Sequence, residues 1–111
     1  MAHKGTSTFI FQRATAALLI PLVLWFLVSV FSQLSADLET ARAWAARPLN
    51  AFLLAVFLII GAAHMRIGVS EVIADYIHGS LKIVLEALNW LAALAVMAGG
   101  IYAAYVLSFA G

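Results

Sequence analysis

Three runs of apolar residues, each too long and too poor in charge for the core of a small soluble domain, set the limits on this chain. They are ATAALLIPLVLWFLVSVFSQL (residues 14–34), the stretch from Pro48 through LNAFLLAVFLIIGAAHM, and IVLEALNWLAALAVMAGGIYAAYVLSFAG (residues 83–111). Crossing a hydrocarbon core of about 30 Å takes about 20 residues of helix. No water reaches the backbone there, so each run must satisfy its own peptide groups by coiling into a helix. Composition agrees. Of 111 residues, 66% are hydrophobic and only 10% are charged, where a soluble domain carries about a quarter. The expected fold is an all-α membrane protein with three transmembrane helices. The spans fall at about 14–34, 49–77 and 83–109, with a short surface helix at about 36–47, in one domain covering residues 1–111.

A net charge of +1 gives no reason to invoke nucleic acid, and the absence of cysteine excludes disulfides, thiolate metal sites and iron–sulfur ligation within this chain. The first apolar run follows Lys4 and Arg13 but is too long for the core of a signal peptide, and Leu34-Ser35-Ala36 is a poor cleavage site. Lys4, Arg13, Arg66 and Lys82 fall on one side of the membrane, against Arg42 and Arg47 on the other. The positive-inside rule then puts the N-terminus in the cytoplasm and the C-terminus outside. The acid-free tail lacks an Arg- and Ser-rich amphipathic presequence, which favours a bacterial plasma membrane over an imported organelle protein.

The connections read as ordinary helix construction. Ser35 and Asp37 are N-cap candidates for the surface helix, and Trp44 is expected at headgroup depth. Pro48 suits the first turn of the second helix, where its missing N–H costs nothing. Pro21 should kink the first. In DYIHGSLK, Gly79 can end the second helix, Ser80 can cap the third, and Lys82 and Glu86 stand one turn apart. Ala95, Gly99 and Ala103 make a stripe of small residues suited to close helix packing.

The costly residues lie in the second span. Turning about 100° per residue from His64 puts Gly68 at about 40°, Glu71 at about −20° and Asp75 at about 20°, all on one face, with Arg66 nearly opposite. Lipid cannot satisfy such a face, so it must turn toward protein or a cavity. Asp75 and Tyr76 come at the end of the helix, with His64 roughly 16 Å deeper. Three roles compete for His64: an interhelical hydrogen bond, a step in a proton path with Glu71 and Asp75, or an axial ligand to haem iron. Gly68, one turn on, would leave room for a porphyrin. His78 lies about 21 Å along the same helix and cannot oppose His64 across a ring, and His3 is in the tail. A bis-histidine haem would therefore take its second ligand from another polypeptide.

The order His64, Gly68, Asp75-Tyr76 resembles the second helix of the succinate dehydrogenase hydrophobic membrane anchor, the D-type subunit of respiratory complex II. The likeness extends to the length, the three spans, "RATAALL" at residues 13–19 and the Trp-bearing first connection. It implies a subunit without activity alone, forming half of a heterodimeric anchor bundle with a cytochrome b556-type C anchor. The pair would hold haem b and dock the iron–sulfur and flavoprotein subunits, and electrons from succinate would reach ubiquinone. By the same resemblance His64 is the axial ligand, Tyr76 hydrogen-bonds a quinone carbonyl oxygen and Asp75 supports that site. Arg13 is either a partner for a haem propionate or a topology anchor, and the role of Glu71 stays open. Arg66 departs from the aromatic residue usual two places after the histidine. The near alternatives are a quinol:fumarate reductase anchor and a haem-free scaffold using His64, Glu71 and Asp75 as a proton path.

Overall fold

The computed structural model describes the backbone of residues 2–110 and the side chains of residues 5–109. The side chains of His3 and Lys4 lie outside the described residues. Four α-helices follow one another: α1 (Ala2–Gln33), α2 (Leu38–Ala46), α3 (Pro48–Tyr76) and α4 (Ser80–Tyr105), with a closing π-helical turn at Val106–Ala110. No strand occurs among the described residues. Three helices are long and apolar enough to cross a membrane, over Gly5–Gln33, Pro48–Tyr76 and Ser80–Phe109.

α1 begins well before its apolar run and continues through Pro21, because nothing in GTSTFIFQR breaks a helix. α2 starts at Asp37, whose Oδ1 accepts from the Thr40 backbone N–H at 2.8 Å. Hydrogen bonds from the Thr40 side chain and backbone hold the Asp37 carboxyl below the usual carboxylate range. Pro48 opens α3 as expected. Asn50 donates to the Trp44 carbonyl at 2.9 Å, and Trp44 stacks on Trp25 of α1 with ring centroids 6.0 Å apart. Trp44 thus clamps the short helix to α1.

The second connection differs from expectation. α3 ends at Tyr76, before Gly79, with the Ile77 N–H bonded to the Ile73 carbonyl. Gly79 sits in the turn with φ of +73°, a left-handed conformation that favours glycine. It occupies the N-cap position of α4, so Ser80 is the first helical residue and caps nothing. Glu86 reaches across to α3 instead of back to Lys82, its Oε2 accepting from Ser70 at 2.7 Å.

α3 is the middle of a row. It packs along α4 on one flank and against α1 on the other, whereas α1 and α4 hardly approach each other. The seams are built from small residues: Ala51, Ala62 and Ala93 are buried, and a Cβ on Gly100 would come within 3.0 Å of Leu58. Close backbone approach of this kind is how helices associate where lipid removes the hydrophobic incentive. The expected stripe behaves otherwise. Ala95, Gly99 and Ala103 are exposed, and Ala93 and Gly100 do the packing within this chain. Large apolar side chains such as Val28, Phe31, Ile83 and Leu91 face outward, as they should toward lipid.

Candidate functional site

α1 and α3 run antiparallel, which brings the beginning of α1 beside the end of α3. Their contact is polar at one level. The Thr15 hydroxyl lies 3.0 Å from His64 Nδ1 and 3.0 Å from the Gln12 carbonyl oxygen, to which it donates. Gln12 Nε2 donates to the His64 carbonyl oxygen at 3.2 Å. Thr15 is 5% exposed, so no water competes for these bonds. Gln12 and Thr15 are three residues apart on α1, hence on one helical face, and together they grip the same residue of α3.

Nδ1 is therefore engaged while Nε2 is not. The buried side-chain polar atoms without a partner are the Oε1 atoms of Gln12, Gln33 and Glu86. His64 Nε2 makes no hydrogen bond among the described residues and is not one of those enclosed atoms, which places it at the outer surface of the chain. The interhelical bond and an outward-facing ligand atom are thus compatible in a single ring, because imidazole has two nitrogens. Among the described residues no three His, Cys, Asp or Glu side chains converge to hold a bare metal ion. A single available imidazole suits iron that already carries four macrocycle nitrogens, so this donor set fits a haem better than a bare cation.

The rest of the stripe follows the same seam. A Cβ at Gly68 would meet Gln12 Nε2 at 3.6 Å, an ordinary contact, so within the single chain Gly68 faces α1. Glu71 joins Gly5, Thr8, Phe9, Gln12 and Arg13 around an open groove of about 720 Å³. Arg13 is exposed, its guanidinium 5.1 Å over the Phe9 ring. Asp75 and Tyr76 close α3 at its C-terminal end, both exposed. Tyr76 is 77% exposed, reachable by anything that approaches from outside the chain. No described hydrogen bond joins Asp75, Tyr76 or Glu71 to His64, so within this chain the stripe shares a face without forming a connected relay.

Arg66 turns the other way, as its helical angle requires. Its guanidinium stacks 4.0 Å over the Trp90 ring of α4, and Asn89 donates to its carbonyl oxygen at 2.8 Å. Thr15 and Gln12 were not identifiable as site residues from the sequence. The available signal was two hydrogen-bonding side chains, spaced to share a face, at the mouth of an otherwise apolar helix.

A span of α-helices around one intramembrane histidine defines a multi-pass membrane subunit with a polar seam. More specifically, the chain belongs to the succinate dehydrogenase/fumarate reductase transmembrane subunit family, which it matches over residues 1–107. It is similar to the succinate dehydrogenase hydrophobic membrane anchor subunit of Paracoccus denitrificans, at 28% identity over 102 residues, covering 92% of this chain and 79% of that protein. No solved structure matches the chain significantly.

Proposed function

We propose that this chain is the hydrophobic anchor of a bacterial succinate:quinone oxidoreductase, with its N-terminus in the cytoplasm and its C-terminus in the periplasm. In this reading it pairs with a C-type anchor, and the two dock the iron–sulfur and flavoprotein subunits. His64 provides one axial nitrogen to haem b and the partner provides the other. A haem held there supplies a one-electron carrier. The observation that carries the reading is the divided histidine: Nδ1 fastened to Thr15 at 3.0 Å, and Nε2 at the chain's surface without a hydrogen bond among the described residues. The row of helices supports it too, since a layer with α3 in the middle has a broad face left for a second subunit.

Tyr76 and Asp75 form part of the wall of the quinone site. Reducing a quinone consumes two protons with its two electrons, and a phenol donating to the carbonyl oxygen stabilises the charge that develops there. In support, Tyr76 ends α3 with its side chain exposed. Asp75 stands beside Tyr76 at the C-terminal end of α3, exposed, and is assigned to the support of that site. Arg13, exposed over the Phe9 ring at the α1–α3 groove, is assigned to a haem propionate. Gly68 faces Gln12 of α1 within this chain, so its part in the haem site rests on the family resemblance alone.

The relative's name favours the succinate-oxidising direction, while the family description also covers fumarate reductases. The decisive experiment is absorbance of the purified complex. A reduced-minus-oxidised haem b spectrum is expected in the wild type and lost in His64→Ala. A complex without haem absorbance, or a His64→Ala complex that retains it, overturns the assignment.

A further inference from the structure

We propose that Thr15 is a positioning residue for His64: its hydroxyl oxygen takes the Nδ1 proton, fixes the ring's tautomer and leaves the Nε2 lone pair pointing out as the metal-binding atom. The inference rests on the haem reading above and adds a residue of α1 to it.

The argument is a count of protons. Three groups meet at this point: the Thr15 O–H, the single N–H of a neutral imidazole, and the Gln12 carbonyl oxygen. The hydroxyl is 3.0 Å from each of its neighbours. Suppose the hydroxyl donates to Nδ1. The ring proton must then sit on Nε2, which has no acceptor among the described residues, and the Gln12 carbonyl loses the hydroxyl. In the other arrangement Nδ1–H donates to the hydroxyl oxygen while the O–H donates to the Gln12 carbonyl. Both protons are then bonded, and the one unused site is a lone pair on Nε2. The second arrangement is preferred because both protons are bonded and only a lone pair is left at a surface that faces lipid or a partner, where an N–H without an acceptor is costly.

The surroundings hold this arrangement in place. Threonine oxygen commonly bonds back to a carbonyl three or four residues earlier in its own helix, which leaves its lone pairs facing away from the backbone. Thr15 is nearly fully buried, so water cannot replace it as the acceptor. Gln12 grips the backbone of the same histidine, tying the register of α3 to that of α1. A ligating histidine whose remote N–H is accepted by an oriented oxygen is fixed in rotation and is a more basic donor.

The test uses the assembled complex with three substitutions, reading haem content and the haem midpoint potential. Thr15→Val keeps the shape and removes the acceptor. It is expected to lose haem affinity by about tenfold or more and to shift the potential upward, because a less basic ligand favours ferric iron less. Thr15→Ser, which keeps the hydroxyl, is expected to restore both values toward wild type. A purely structural role for Thr15 would alter yield without moving the potential of the haem that remains. Thr15→Val with wild-type content and potential, alongside a His64→Ala complex that has lost its haem, overturns this proposal and leaves the haem reading intact. His64→Ala with unchanged haem overturns both. Should Thr15→Val fail to assemble, a density map of the unsubstituted complex decides. Iron on Nε2 with Nδ1 at Thr15 supports the assignment, and iron on Nδ1, or a ring turned away from Thr15, overturns it.

Discussion

Helix α3 has a polar seam on each flank, and the two are built to different ends. Toward α4, polar groups are matched apart from one buried oxygen, Glu86 Oε1: Ser70 pairs with Glu86 Oε2 at 2.7 Å, Asn89 with the Arg66 carbonyl at 2.8 Å, and Arg66 with the Trp90 ring at 4.0 Å. Toward α1, matching stops halfway. His64 is fastened through one nitrogen, its other nitrogen is open, and the seam widens into the groove beside Arg13 and Glu71. Partnered polar groups in a membrane make structure. In the proposed function, the open nitrogen of His64 is where a ligand would bind.

The comparison can be broken most sharply at His64, where alanine is expected to remove the whole haem spectrum, while disruption of the α4 seam leaves the band position unchanged in whatever complex assembles. Next comes Tyr76→Phe, expected to slow quinone reduction about tenfold, the worth of one well-placed hydrogen bond. Succinate oxidation with an artificial acceptor should survive that change, and unchanged quinone turnover would remove Tyr76 from the site. On the other flank, Gly100→Val pushes side-chain atoms into Leu58, which a Cβ alone would approach to 3.0 Å. Overpacking of this kind costs about 1–3 kcal/mol. It should appear as a lower melting temperature in detergent, partly relieved by Leu58→Ala. The smallest effect separates partnered from open chemistry most cleanly. Ser70→Ala strands Glu86 and is expected to cost about 1–3 kcal/mol, whereas replacing both residues by apolar ones of similar shape should be closer to neutral. Neither change should move the haem potential.

Helical periodicity made the chain's elements and faces legible before any coordinates. His64, Gly68 and Glu71 do turn toward α1, and Arg66 does turn away to Trp90. What lies opposite a face was not legible, because the register between two helices is set by packing across the whole seam. Thr15 and Gln12 meet His64 only when α1 slides to the right height. Which small-residue stripe the α3 seam would use was not legible for a related reason, and Ala95, Gly99 and Ala103 stay exposed within this chain. α4 is so rich in alanine and glycine that several stripes fit the same spacing, and the seam uses the one with Ala93 and Gly100. At the α3–α4 turn the helix boundary fell one residue from expectation, because Gly79 with its positive φ is the cap and Ser80 already belongs to the helix.

The row of helices also works as mechanical insulation. With α1 and α4 on opposite flanks of α3 and almost no contact between them, a displacement of either outer helix reaches the other only through α3. A shift along α4 as neighbours bind or leave can alter the spacing between Thr15 and the imidazole only by moving α3 against α1.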